Sequence, residues 1–169
     1  MFTNVRSRSL ALAAVAVAVG LGSHQALANT GTAKAVILKA ISLTEGTNLN
    51  FGTILPSASA GTVAVAAATG TATPTNVSLF GGAAAGSWSA TGTANQNVTI
   101  TLDSSPITLS TISGPAGTMT VDGFATDVVG QAKFDNTGNL AFHVGATLHV
   151  GANQQDGSYS GSYNVTVNY

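Results

Sequence analysis

The sequence contains no cysteine, which excludes disulfides, thiolate metal sites, iron–sulfur clusters and cysteine nucleophiles. Charge is almost as scarce: 5 basic and 6 acidic residues amount to 7% of 169, against about a quarter in ordinary globular domains. Two of the basic residues, Arg6 and Arg8, lie in the first eight positions, and beyond them only Lys34, Lys39 and Lys133 remain against six acids, a net charge of −3. Three scattered lysines cannot build the electropositive footprint that holds nucleic acid or an anionic membrane, so neither is expected as a partner. Aliphatic residues are nonetheless plentiful, with 44% of the chain hydrophobic, which excludes a disordered polymer.

What is present begins with a leader. Residues 1–8 carry the two arginines, residues 10–21 read LALAAVAVAVGL without a charge, and Ala26, Leu27 and Ala28 supply a small-residue cleavage site. A charged n-region, an apolar h-region and an A-x-A site make a secretory signal, with cleavage expected after Ala28. The apolar run is shorter than the ~20 residues that a membrane anchor needs, and Gly20, Gly22 and Ser23 end it. The expected product is residues 29–169, a single exported domain in the periplasm, on the cell surface or in an extracellular fibre, with no membrane insertion after cleavage.

Residues 29–169 contain 22 Thr, 13 Ser and 18 Gly, a composition that favours strands over helices. Period-2 alternation then locates the strands. Over 159–169, Tyr159, Tyr163, Val165, Val167 and Tyr169 share one face with Gly161; from Leu140, residues Phe142, Val144, Ala146, Leu148 and Val150 point inward while His143, Gly145, Thr147 and His149 point outward. Shorter alternations occur at Trp88/Ala90, Val98/Ile100/Leu102, Ile107/Leu109 and Met119/Val121. Turn formers separate them: Gly81-Gly82, Gly114-Pro115, Asp122-Gly123, residues 135–138 and Asp156-Gly157. Short, frequent strands of this kind predict an antiparallel β-sandwich. Segment 57–74, rich in small residues and weakly patterned, reads as an edge strand or a loop.

Residues 33–43 (AKAVILKAISL) are apolar on both parities and interrupted by two lysines. Two readings stay open. The segment is a strand buried on both sides, or one that changes face at a bulge near Lys39; alternatively it is an extension that pairs with the open sheet edge of another copy. On the second reading the strand-exchange residues are Ile37, Ile41 and Leu43 in the donor, and Tyr163, Val165, Val167 and Tyr169 beside the acceptor edge.

The phrase LNFGTI at 49–54, the stretch GATLHVGAN at 145–153 and the closing GSYSG to VNY at 157–169 resemble a bacterial domain-of-unknown-function family of the 4402 type, itself akin to spore coat U and chaperone–usher pilin subunits. That resemblance covers most of residues 33–169. It implies an immunoglobulin-like, pilin-like sandwich lacking one strand, which a periplasmic chaperone supplies first and the next subunit later, with an outer-membrane usher directing assembly. Pilins often carry a disulfide, absent here, and their aromatic is commonly penultimate, whereas Tyr169 stands one place later.

No pattern of residues announces catalysis or a cofactor. His143 and His149 share a strand face six residues apart, roughly 20 Å at about 3.3 Å per residue, too far for one metal. The acids sit singly at expected turns or strand ends, without the close spacing of a calcium loop. No G-x-S-x-G elbow occurs, and neither histidine has an orienting acid beside it in sequence. Trp88 reads as a sandwich anchor, and the three N-x-S/T sequences, beginning at Asn76, Asn97 and Asn164, as incidental. The expectation is a non-enzymatic structural subunit of a surface fibre, pilus or coat joined by β-strand addition between copies. The competing expectation is a self-complete secreted adhesin or carbohydrate-binding module using Trp88 or the Gly81-Gly82 loop.

Overall fold

A computed structural model describes residues 29–169; the expected leader, residues 1–28 with Ala28 at its cleavage site, lies outside the described residues. The chain divides into two units, one up to Ala35 and one from Val36. In the first, residues 29–35 hold no strand and are exposed. The second is all-β, antiparallel throughout, with no helix among the described residues.

Its strands are β1 (Ser42–Thr47), β2 (Asn50–Phe51), β3 (Ile54–Leu55), β4 (Gly61–Val65), β5 (Ala72–Thr75), β6 (Ser78–Leu79), β7 (Ala83–Ala84), β8 (Gly86–Thr91), β9 (Thr99–Leu102), β10 (Ile107–Ser113), β11 (Thr118–Thr126), β12 (Asn139–Val150), β13 (Ser158–Ser160) and β14 (Val165–Asn168). The main sheet runs β1-β8-β12-β11-β10-β13, with β4 and β5 added beside β12. Three two-stranded ribbons, β2/β7, β3/β6 and β9/β14, complete the fold.

β12 organises the molecule. Residues 139–144 pair with β8, residues 146–150 pair with β4 along the same edge, and the opposite edge pairs with β11. Its even-numbered residues enter two packed clusters, Phe142 and Val144 in one and Ala146, Leu148 and Val150 in the other. The first cluster binds the β9/β14 ribbon through Val98, Ile100, Leu102, Val165 and Val167. The second binds β2, β3 and β6 through Phe51, Ile54 and Leu79. Ribbons laid over a sheet in this way bury its apolar face, which drives the packing.

The expected alternation of β12 holds except at Gly145, placed outward by parity but buried in the structure. Here the chain leaving β4 crosses so closely that a Cβ would overlap the Val65 carbonyl oxygen and stand 2.5 Å from the Ala67 nitrogen. Four further expectations are corrected. Residues 33–41 hold no strand; pairing starts at Ser42, and Val36 and Ile37 are 87% and 93% exposed, which overturns the strand buried on both faces. The single strand over 159–169 is two, because β13 pairs with β10 while β14 pairs with β9, and residues 161–164 change partners between them. Asp122-Gly123 is a bulge inside β11, with Gly123 at φ +63, not a turn. Segment 57–74 yields the β4/β5 hairpin, in which β4 is internal and Val63 fully buried.

Gly145→Ala is expected to lower stability by ~1–3 kcal/mol, since backbone cannot swing aside as a side chain would. Gly31→Ala, whose Cβ would meet nothing within 4 Å, is expected to change it by under about 0.5 kcal/mol. Urea midpoints of the two variants against the parent check the difference.

Candidate functional site: a cleft between two unpaired strand edges

An inner strand satisfies its backbone on both sides, but β1 pairs only with β8, and β14 only with β9, among the described residues. Each therefore keeps one edge unpaired among the described residues, and residues of both border one cleft. Ala40, Ile41 and Leu43 on one side and residues 165–169 on the other enclose a cleft of about 440 Å³. Beyond it, the stretch from Glu45 to Pro56 faces residues 154–163 across a wider cleft of about 1030 Å³. The floor of the wider cleft is apolar, formed by Ile107, Leu109, Met119, Val121, Phe124 and Leu148. Glu45 and Asp156 are its charged groups, and neither cleft has a lysine or arginine in its wall.

Three aromatics stand in the wall of the wider cleft. Trp88 lies edge-on to Tyr163 at 6.1 Å and donates its indole N–H to the Tyr163 hydroxyl at 3.1 Å, while Phe124 stacks on Tyr163 at 5.2 Å. Trp88 is thus half-buried and packed on the core, with one edge in the wall of the wider cleft. Burial pushes the Tyr163 phenol above its ordinary value of 10.0; the Trp88 hydrogen bond pulls the other way, and the Glu45 carboxylate adds to the rise.

A second set of contacts closes the end of the narrow cleft. The Tyr169 hydroxyl donates to the Lys39 carbonyl at 2.5 Å and accepts the Thr93 N–H at 2.8 Å. The Lys39 N–H in turn donates to the Thr93 hydroxyl at 2.6 Å. The Tyr169 ring lies edge-on to the buried Phe134 at 6.1 Å.

The candidate residues therefore distribute unevenly. Ile41, Leu43, Val165, Val167 and Tyr169 line the narrow cleft and Tyr163 the wider one, whereas Ile37 lines neither and is exposed. The contacts of Lys39 and Thr93 escaped sequence reasoning, because hydrogen bonds spanning 130 and 76 residues leave no local pattern.

The histidines likewise gain partners that sequence spacing hid. His143 Nδ1 meets Asp127 at 2.7 Å, and the His143 backbone N–H donates to the same carboxylate at 2.7 Å. His149 Nε2 meets Asp122 at 2.9 Å. Asp122 and Asp127 are thus engaged across strands, a correction to the assignment of every acid to turn chemistry. Burial alone would raise the Asp127 carboxyl, but the hydrogen bonds and charge of His143 hold it below its ordinary 3.8. Opposite His143 on β8, Ser87 directs its hydroxyl to Thr47, at 2.9 Å from the N–H and 2.8 Å from the hydroxyl. Among the described residues no three His, Cys, Asp or Glu converge as metal ligands.

Fold and cleft together define an antiparallel all-β domain with two half-satisfied strand edges bordering one cleft. The model of the domain-of-unknown-function family DUF4402 matches residues 41–169, and the chain belongs to that family. No curated protein and no solved structure matches it.

Two titrations follow from the perturbed groups. The tyrosinate absorbance of Tyr163, isolated as the difference between the parent and Tyr163→Phe, is expected to have its midpoint above pH 10. Stability then falls as pH rises from 10 through that midpoint, because the unfolded phenol ionises first. A midpoint at or below 10 contradicts the buried, Glu45-facing placement. Asp127, lowered in the fold, contributes stability above pH 3.8 that is lost as pH falls through its folded value. Asp127→Asn is expected to flatten that acid limb in urea titrations.

Proposed function

We propose that this chain is a structural subunit of a surface fibre, pilus or coat, exported and joined to its neighbours by β-strand addition. The observation that carries the reading is the pair of unpaired edges, β1 and β14, whose residues border one narrow cleft. A strand entering there would bond to open main chain while alternate side chains meet Ile41, Leu43, Val165 and Val167, the mode by which extended segments bind open sheets. The donor is the segment before β1, where Val36 and Ile37 leave large apolar side chains in water. Low charge supports the same reading, since few ionic groups need desolvation when copies pack together.

The chain beginning at residue 29 is expected to build heat-labile, SDS-resistant ladders on concentration, and the same chain lacking residues 29–38 to stay monomeric. Identical monomers from both would contradict strand addition. A carbohydrate-binding role rests on one observation, the Trp88 edge beside Glu45 and Asn48 in the wider cleft. Glycan binding lost in Trp88→Phe, with folding kept and both chains monomeric, would favour that role instead.

A further inference from the structure

We infer that the Tyr169 clasp on Lys39 keeps residues 36–38 out of the chain's own cleft and thereby commits that cleft to residues 33–38 of a second copy. This rests on the strand-addition reading and adds to it the device that keeps the donor segment of one copy out of its own cleft. A segment tethered directly beside an open edge has a far higher effective concentration there than any segment of another molecule. Left unrestrained, residues 36–38 would fold back as a hairpin on β1, filling the slot and ending assembly at the monomer.

The clasp obstructs that hairpin at its turn. Hairpin loops are most often two or three residues long, so a return from β1 at Ser42 places Lys39 either in the first rung of the ladder or in the loop itself. Both backbone groups of Lys39 are already engaged, the N–H by the Thr93 hydroxyl and the carbonyl by the Tyr169 hydroxyl. The third side of this ring is the Thr93 N–H on the same Tyr169 oxygen. Its anchor is firm, because the Tyr169 ring packs on Phe134, which is 1% exposed. Gly92 leaves the space: a Cβ there would overlap the Phe134 ring and stand 2.8 Å from the Tyr169 hydroxyl. The result is visible in the cleft wall, which includes Ala40 and Ile41 but none of residues 36–38.

Apolarity and length fit a second copy of the segment. Val36, Ile37 and Leu38 are uncharged and apolar, and the narrow cleft has no Asp, Glu, Lys or Arg side chain in its wall, where Ile41, Leu43, Val165 and Val167 stand. Six residues, 33–38, span roughly 20 Å when extended at about 3.3 Å each, the length of the six-residue β1 edge.

The absence of native cysteine allows a direct test. Ile37→Cys and Thr166→Cys place one thiol in the segment and one in the cleft wall, and a short bis-maleimide joins them in the full chain from residue 29. The parent pair is expected to cross-link between copies, as a ladder that grows with concentration. Adding Tyr169→Phe, which keeps the ring and deletes the hydroxyl with both of its hydrogen bonds, is expected to raise the internally linked monomer about fivefold relative to the ladder, the scale of the one bond that holds the Lys39 carbonyl. Thr93→Val, removing the acceptor for the Lys39 N–H, is expected to act in the same direction and decides the matter if Tyr169→Phe folds poorly by circular dichroism. A ratio unchanged in both variants overturns the clasp while leaving strand addition intact. No cross-link of either kind overturns strand addition and the clasp with it.

Discussion

A β-strand carries two rows of backbone donors and acceptors, and a sheet protein must dispose of both. This chain does so completely along β12, which pairs with β8 and β4 on one edge and β11 on the other. It does so by half at β1 and β14. The narrow cleft and the clasp at Tyr169 lie beside those half-satisfied edges, and the apolar floor and the aromatic trio at Tyr163 lie in the wider cleft.

Other edges of the sheet are protected differently. β5 carries Pro74, which offers no N–H, and β13 is three residues long, both familiar ways to blunt an edge against pairing. β1 and β14 have no proline, and the narrow cleft beside them is lined by Ile41, Leu43, Val165 and Val167 with no charged side chain. The Phe142 cluster on β12 fixes both edges, β14 through Val165 and Val167 and β1 through Leu43. The slot is thus a product of rigid packing on either side of it. The same packing fixes Phe134, and through it the Tyr169 ring.

Much of this architecture was legible in alternation. The inward set Phe142 to Val150 and the faces of β9, β10 and β11 follow from period two, because burial on one face imposes it directly. What alternation could not reveal was which strand pairs with which. Tyr159 and Val167 keep one parity, yet residues 161–164 carry the chain from β10 to β9. Gly123 disguised a bulge as a turn, since a positive φ serves both. Residues 33–41 have strand-like composition, but propensity cannot form a strand without a partner edge. β4 was obscured because Val63 and Val65 stand among alanines and glycines whose small size weakens the pattern. Of the residues named from sequence, Ile41, Leu43, Val165, Val167 and Tyr169 border the narrow cleft and Ile37 borders neither cleft; Lys39, Thr93 and the acids facing His143 and His149 depend on long-range placement.

Hydrogen–deuterium exchange on the chain from residue 29, dilute and then concentrated, tests most directly whether the slot is where copies join. The account requires amides of β1, β14 and residues 33–38 to gain protection together as concentration rises, while those of β12 stay protected throughout. Protection arising instead at β5 or β13, or none that depends on concentration, would contradict it.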